Sequence, residues 1–170
     1  MDAKEITTQI IGESGVFNIT YHDMENESDL GARKVQGVHA YCFYKDQLVI
    51  VYSEKKGIWT PPGGGVEEGE TAREAVSREV KEETNMKVLK QRFIGFQDID
   101  DSHSIITQTR SVCIVEPYGD FVEDPDDGEI SEIKFIDPKD YKEYFDWGEI
   151  GDHLISRALE IKAQLDLESN

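Results

Sequence analysis

Cysteine is scarce in this chain. Among 170 residues only Cys42 and Cys113 occur, each inside an apolar, strand-like run and with no C-x-x-C pair. That leaves no disulfide framework, and both thiols are expected to be buried, reduced and hydrophobic in behaviour. Four scattered histidines give no zinc spacing. No apolar run approaches the roughly 18 residues needed to span a membrane. The start, Met-Asp-Ala-Lys-Glu, lacks a basic segment followed by an apolar one, so no secretion signal is expected and the expected location is cytoplasmic. Positive charge is also short. Eighteen Lys and Arg face 36 Asp and Glu, a formal net charge of −18. Such a surface repels nucleic-acid backbones, which argues against nucleic acid as a partner. It equally repels a small phosphorylated substrate unless a bound divalent cation inverts the field locally.

What is present suits one ordinary domain, with 38% hydrophobic and 32% charged residues. Strand-like patterns cover 5–11 and 16–21, a polar lead-in covers 22–34, and 35–44 and 47–52 form a candidate hairpin across Lys45-Asp46. A loop rich in glycine and proline (56–69) precedes a helix from 71 to 84. Strands are expected at 87–97 and 105–115, with the acidic segment 98–104 between them. An acidic loop (116–128), a last strand (130–136), a short helix opened by Asp137-Pro138 and an amphipathic helix (149–167) complete the chain. This order implies an α/β (α+β) domain, a mixed sheet with helices on both faces. Residues 1–34 are read as N-terminal strands and lead-in packed on a domain of 35–170. They are expected either to serve a homodimer or simply to extend the sheet.

The 71–84 helix carries the chemistry. Thr71 with Glu74 forms a capping box, and Asn85 suits the left-handed residue that closes a helix. At roughly 100° per residue, Ala72, Ala75, Val76 and Val80 make an apolar stripe, and Glu79 and Glu83 fall within it, with Glu82 at its edge. Carboxylates at i,i+3 and i,i+4 repel one another, and burying them unpaired costs several kcal/mol or raises their pKa. A hard divalent cation relieves both problems, and Arg78 with nearby lysines is the competing way to neutralise the cluster. Ahead of the helix, Pro61-Pro62-Gly63-Gly64-Gly65 fixes two φ angles and frees three residues, so that main-chain groups can approach a metal or phosphate.

The pattern Gly64-x5-Glu70-x7-Arg78-Glu79-Val80-x-Glu82-Glu83-x-Asn85-Met86, 23 residues long, resembles the box of the Nudix hydrolases (MutT/Nudix), and Trp59-Thr60-Pro61-Pro62-Gly63 resembles its lead-in. Asn85 stands where the family has a glycine. The resemblance implies a Nudix-type α/β/α sandwich and a Mg²⁺-dependent pyrophosphohydrolase, with Mn²⁺ as a substitute. The substrate would be a small nucleotide, a nucleoside diphosphate linked to another moiety, such as a nucleoside triphosphate or nucleotide sugar. It implies Glu79, Glu82 and Glu83 as metal-binding carboxylates, the Gly63 carbonyl as a further ligand, and Arg78 as the residue that orients a glutamate. Catalysis would fall to Glu82, Glu83 and Arg78. Glu70 would support the joint between loop and helix. A distal glutamate is expected to join the metal site: Glu129 first, with Glu132 and Glu123 as alternatives. Gly64, Gly65 and Trp59 are expected at the substrate. The alternative function is a nucleotide-binding module without turnover.

Other features point to structure. Asp124-Pro125-Asp126-Asp127-Gly128-Glu129 fails the EF-hand spacing, because Pro125 and Lys134 would occupy ligand positions. Asp98, Asp100 and Asp101 read as solvated acids, and His39 and His103 as structural. No pattern separates Arg92, Arg110 and Lys134 from surface residues. Downstream of the box, Asp101-Ser102-His103-Ser104 lacks the proline or tyrosine associated in the family with particular substrates.

Overall fold

The computed structural model describes residues 4–123 and 129–168. Within the acidic loop and the EF-hand-like segment, residues 124–128 lie outside the described residues. Among the described residues nine strands form one mixed sheet. They are β1 (Glu5–Gly12), β2 (Gly15–Asp23), β3 (Val35–Tyr44), β4 (Gln47–Ser53), β5 (Ile58–Thr60), β6 (Gly63–Gly65), β7 (Met86–Asp100), β8 (Ile105–Pro117) and β9 (Ile130–Ile136). Among the described residues there are two α-helices, α1 (Ala72–Thr84) and α2 (Gly148–Leu167). A 3₁₀ turn, Pro138–Glu143, stands where the sequence suggests a short helix.

The path through the sheet is β1-β2-β7-β8-β3-β4-β5, with β6 paired to β3 and β9 to β4. All pairs are antiparallel except β3–β8, where Val35 lies opposite Thr107 and Phe43 opposite Ile114. β3 and β4 pair only from Cys42 to Tyr44. Beyond that point they diverge, β6 taking β3 at Gly37–His39 and β5 taking β4 at Val51–Ser53. The divergence opens a wedge, and the glycine strand lines it.

Each face of the sheet carries one helix, because β3 alternates its apolar residues between two cores. Val38, Ala40 and Cys42 pack with Ala75, Val76 and Val80 of α1. Tyr41 and Phe43 pack with Leu154, Ile155 and Ala158 of α2. Cys42 and Cys113 are buried free thiols, as the sequence suggests. The N-terminal hairpin extends the sheet by pairing β2 with β7.

Asp98 and Asp100 belong to β7 rather than to a loop. Asp98 accepts from Thr107 Oγ1 at 2.6 Å and pairs with Arg33 at 3.3 Å. Asp101 Oδ1 accepts the N–H groups of His103 and Ser104, closing the β7–β8 turn. These acids hold the hairpin together.

Candidate active site

Helix α1 is fixed at both ends before its glutamates come into play. Thr71 Oγ1 accepts the Glu74 N–H at 3.1 Å. Asn85 is left-handed (φ 55°, ψ 38°), its N–H donates to Lys81 O, and its side-chain amide donates to Asp120 O at 2.9 Å. Asparagine thus performs the turn for which glycine is usual.

The helix lies with its second half against β6. Gly63 N–H donates to Glu83 Oε1 at 2.9 Å. At Gly64 an added Cβ would stand 2.4 Å from Glu79 Oε1, and at Gly63 it would stand 2.1 Å from the Val38 carbonyl oxygen. Glycine at both positions is therefore a matter of room. It lets the loop enter the sheet and lets the carboxylates reach the loop's main chain.

Arg78 gathers the cluster. Its Nε and Nη2 grip both oxygens of Glu70 at 2.7 and 2.9 Å, its Nη2 also reaches Gly65 O at 2.8 Å, and its Nη1 donates to Glu79 at 2.9 Å and Glu82 at 3.2 Å. The two-oxygen grip of Arg78 holds Glu70 down at about 2. Glu79 is 14% exposed, and burial raises its pKa against the pull of Arg78. Burial pushes Glu83 up to about 8, opposed by the Gly63 N–H and reinforced by the charges of Glu79 and Glu129. Glu82 is freer, at 48% exposed.

These residues open onto a cavity of about 780 Å³, which Glu79, Glu82, Glu83, Arg78 and the strand Gly63–Gly65 share with Glu129. Glu129 enters from just before β9, its carboxylate 3.6 Å from Lys56 Nζ. Glu132 and Glu123 are not among the lining residues. Nor is Trp59, expected at the substrate. It packs on Tyr52 and Tyr144, with Lys134 Nζ 5.0 Å from its ring centroid. The aromatic residue that does line the cavity is Trp147, just ahead of α2, with His39 edge-on to it at 5.8 Å. Nothing in the sequence around Trp147 marks it, because its position depends on how α2 docks. His39 is also a cavity residue; burial, with Arg110 and Lys56 nearby, lowers its pKa to about 3 and keeps it neutral.

The donor set suits a hard cation. It is all oxygen, and the burial that raises Glu79 and Glu83 is the penalty a divalent ion removes. As the side chains stand, no three His, Cys, Asp or Glu among the described residues close around a metal position, since Arg78 holds Glu79 and Glu82. Ion binding therefore calls for rotation of these flexible side chains.

The NUDIX domain model matches residues 34–157, most of the chain. The chain belongs to the Nudix family. Nudix hydrolases act on phosphoric anhydride bonds in nucleoside diphosphate derivatives and generally use divalent metals. A curated relative, the uncharacterized Nudix hydrolase YvcI of Bacillus subtilis (strain 168), is 27% identical over 89 residues, covering 50% of this chain and 56% of the relative. The match thus spans little more than half of that relative's length. Among solved structures, the Bacillus subtilis pyrophosphohydrolase BsRppH superposes with a TM-score of 0.57 at 19% identity, over 76% of this chain and 77% of that one. A C. elegans Ap4A hydrolase gives 0.53 at 17% identity, over 76% and 99%. These structural likenesses establish the shared Nudix fold. No helix among the described residues is long and apolar enough to cross a membrane.

Proposed function

We propose that this Nudix chain is a pyrophosphohydrolase that uses Mg²⁺, with Mn²⁺ as a substitute, to hydrolyse the phosphoric anhydride of a nucleoside diphosphate linked to another moiety. The observation that carries the reading is the meeting of Glu79, Glu82, Glu83 and Glu129 at one cavity beneath the glycine strand. Glu79, Glu82, Glu83, Glu129 and the Gly63 carbonyl are the groups that would hold the cation. When bound, such an ion supplies Lewis-acid stabilisation of charge on the phosphate oxygens and eases deprotonation of water.

The chain's own residues do the positioning. The Gly63 N–H fixes one oxygen of Glu83. Arg78 keeps Glu79 and Glu82 beside each other and ties them through Glu70 and Gly65 to the loop, from which they would rotate onto the cation. Gly64 and Gly65 leave main chain bare where a phosphate would approach, and Lys56 adds a positive charge on the opposite wall beside Glu129.

The test is a panel of nucleoside triphosphates, dinucleoside polyphosphates, nucleotide sugars and ADP-ribose, incubated with Mg²⁺ and analysed for phosphate, pyrophosphate and nucleotide products. Metal-dependent cleavage of a phosphoric anhydride is the expected result. Nucleotide binding without release of any product up to about pH 9 would identify a binding module instead.

A further inference from the structure

A second cavity, about 430 Å³, lies beside the first and shares His39, Gln108 and Trp147 with it. Its walls come from the N-terminal hairpin (Thr8, Ile10, Ile19), from β7 and β8 (Gln97, Gln108, Arg110) and from the start of α2. Ile10, Ile19, Ile150 and Trp147 make most of it apolar.

Arg110 is the anomaly. It is 2% exposed, and among the described residues no carboxylate pairs with it. Its Nη1 donates to Thr109 O at 3.1 Å and its Nη2 to Gln108 Oε1 at 3.2 Å. Its Nε has no partner, and neither does the hydroxyl of Tyr41. The single acid in the cavity wall, Asp146, already accepts the Gly148 N–H at 2.9 Å. A buried, uncompensated guanidinium is strongly unfavourable, and a structure that keeps one beside an open cavity has left its counter-charge to a ligand. Guanidinium matches the two-oxygen face of carboxylate and phosphate.

We infer that Arg110 receives an oxyanion, a phosphate monoester or carboxylate, carried by the substrate at a distance from the scissile anhydride. The inference rests on the hydrolase reading for the position of the anhydride. With the diphosphate at the glutamate cavity, the linked moiety passes His39 and Trp147, packs against the isoleucine wall and ends on Arg110. The substrate class is then a nucleoside diphosphate derivative with an additional negative group. Its recognition runs against the overall charge of −18, which repels every extra anion not met by a specific cation.

Two pairs of compounds test this on the intact protein with Mg²⁺. NADP⁺ and NAD⁺ differ by a phosphate, and UDP-glucuronate and UDP-glucose by a carboxylate. In at least one pair the anion-bearing member should be favoured roughly tenfold or more in kcat/KM, chiefly through KM. The pair that responds identifies the oxyanion. The preference should fall to about one in Arg110→Gln. Should that variant fail to fold, Ile10→Glu, at a half-exposed strand position in the same wall, supplies a competing carboxylate and should erase the preference. Adenosine 2′,5′-bisphosphate and AMP, titrated calorimetrically into metal-free protein, give a readout without turnover, and the bisphosphate should bind more tightly through Arg110. Turnover with no charge preference in either pair, or a preference that survives both variants, overturns the inference and leaves the hydrolase reading standing. Arg110-dependent binding of the bisphosphate without hydrolysis of any compound supports the inference and overturns the hydrolase reading.

Discussion

Gly63 and Glu83 are joined across the site: the main-chain N–H of one donates to Oε1 of the other at 2.9 Å. The bond fastens the glycine strand to the helix, and it fixes a carboxylate whose pKa burial has raised to about 8. Replacing Glu83 with Gln keeps an acceptor oxygen for Gly63 and removes the charge. The expected outcome is a fall in kcat of roughly 100-fold or more with Mg²⁺ saturating, together with an unchanged or raised Tm for metal-free protein at pH 7. Steady-state kinetics and calorimetry on the same preparation check both halves, and retained turnover would refute a ligand role for Glu83.

The same shift sets the pH dependence of stability. Folded Glu83 holds its proton up to about pH 8, whereas the unfolded side chain releases it near its ordinary value of 4.5. Between these values the native state binds more protons, so its stability is fully present below the unfolded pKa and declines as pH rises towards 8. Metal-free protein should therefore show a falling Tm from about pH 6.5 to pH 8; at lower pH the buried neutral His39, which takes up a proton on unfolding, opposes the trend. Mg²⁺, which favours the ionised carboxylate, should raise Tm most at the alkaline end. A Tm that climbs between about pH 6.5 and pH 8 in EDTA, or a Mg²⁺ effect largest at pH 5, would contradict this linkage.

Gly63→Ala and Gly64→Ala should fail differently. The Cβ at Gly63 would meet the Val38 carbonyl at 2.1 Å, a backbone atom that cannot move without breaking the β3–β6 pairing. That variant should lose about 1–3 kcal/mol of stability or more. At Gly64 the obstacle is the flexible end of Glu79, so the protein should stay folded and lose activity by displacing that carboxylate. Urea denaturation and kinetics on the two variants separate the outcomes.

Arg78→Lys retains the charge and loses the planar fork. Lysine cannot span both oxygens of Glu70 while also reaching Gly65 O, Glu79 and Glu82. We expect a drop of roughly tenfold or more in kcat/KM, accompanied by weaker Mg²⁺ activation. Titration of activity against Mg²⁺ measures it, and an unaltered half-saturating concentration would show that the fork does not organise the ligands.

Glu129→Gln should reduce activity, whereas Glu132→Gln and Glu123→Gln should not, because among these three only Glu129 lines the glutamate cavity. Assaying the three variants side by side at fixed Mg²⁺ tests the assignment, and equal activity across the set would exclude Glu129 from the site.

The sequence showed most of the elements, because their signals are local. The wheel around α1 already placed Glu79 and Glu83 on the side of Val76 and Val80, and the structure half-buries them accordingly. The glycine segment concealed β5 and β6: three glycines have no side-chain alternation, and only their pairing with Gly37–His39 makes them a strand. Asp98 and Asp100 read as loop because of their charge, whereas Arg33 and Thr107 hold Asp98 on the ladder. The residues that meet around the second cavity, His39, Trp147 and Arg110, were beyond local reading. Their meeting depends on register between distant strands and on the docking of α2, which no short pattern encodes.

The parallel pairing of β3 with β8 also has a kinetic side. Val35 meets Thr107 only after the whole intervening chain, with α1 and β7, has been laid down. Contacts so distant in sequence form late and slowly, since loop closure precedes any gain from them. Gly37 and His39 lie on one of these two strands, and Ile106, Gln108 and Arg110 on the other. A nascent chain that has released its glutamate helix from the ribosome therefore still has no binding cleft. The cleft is complete only when β8 has zipped onto β3 and Glu129 and Trp147, later in the chain, have taken their places along it.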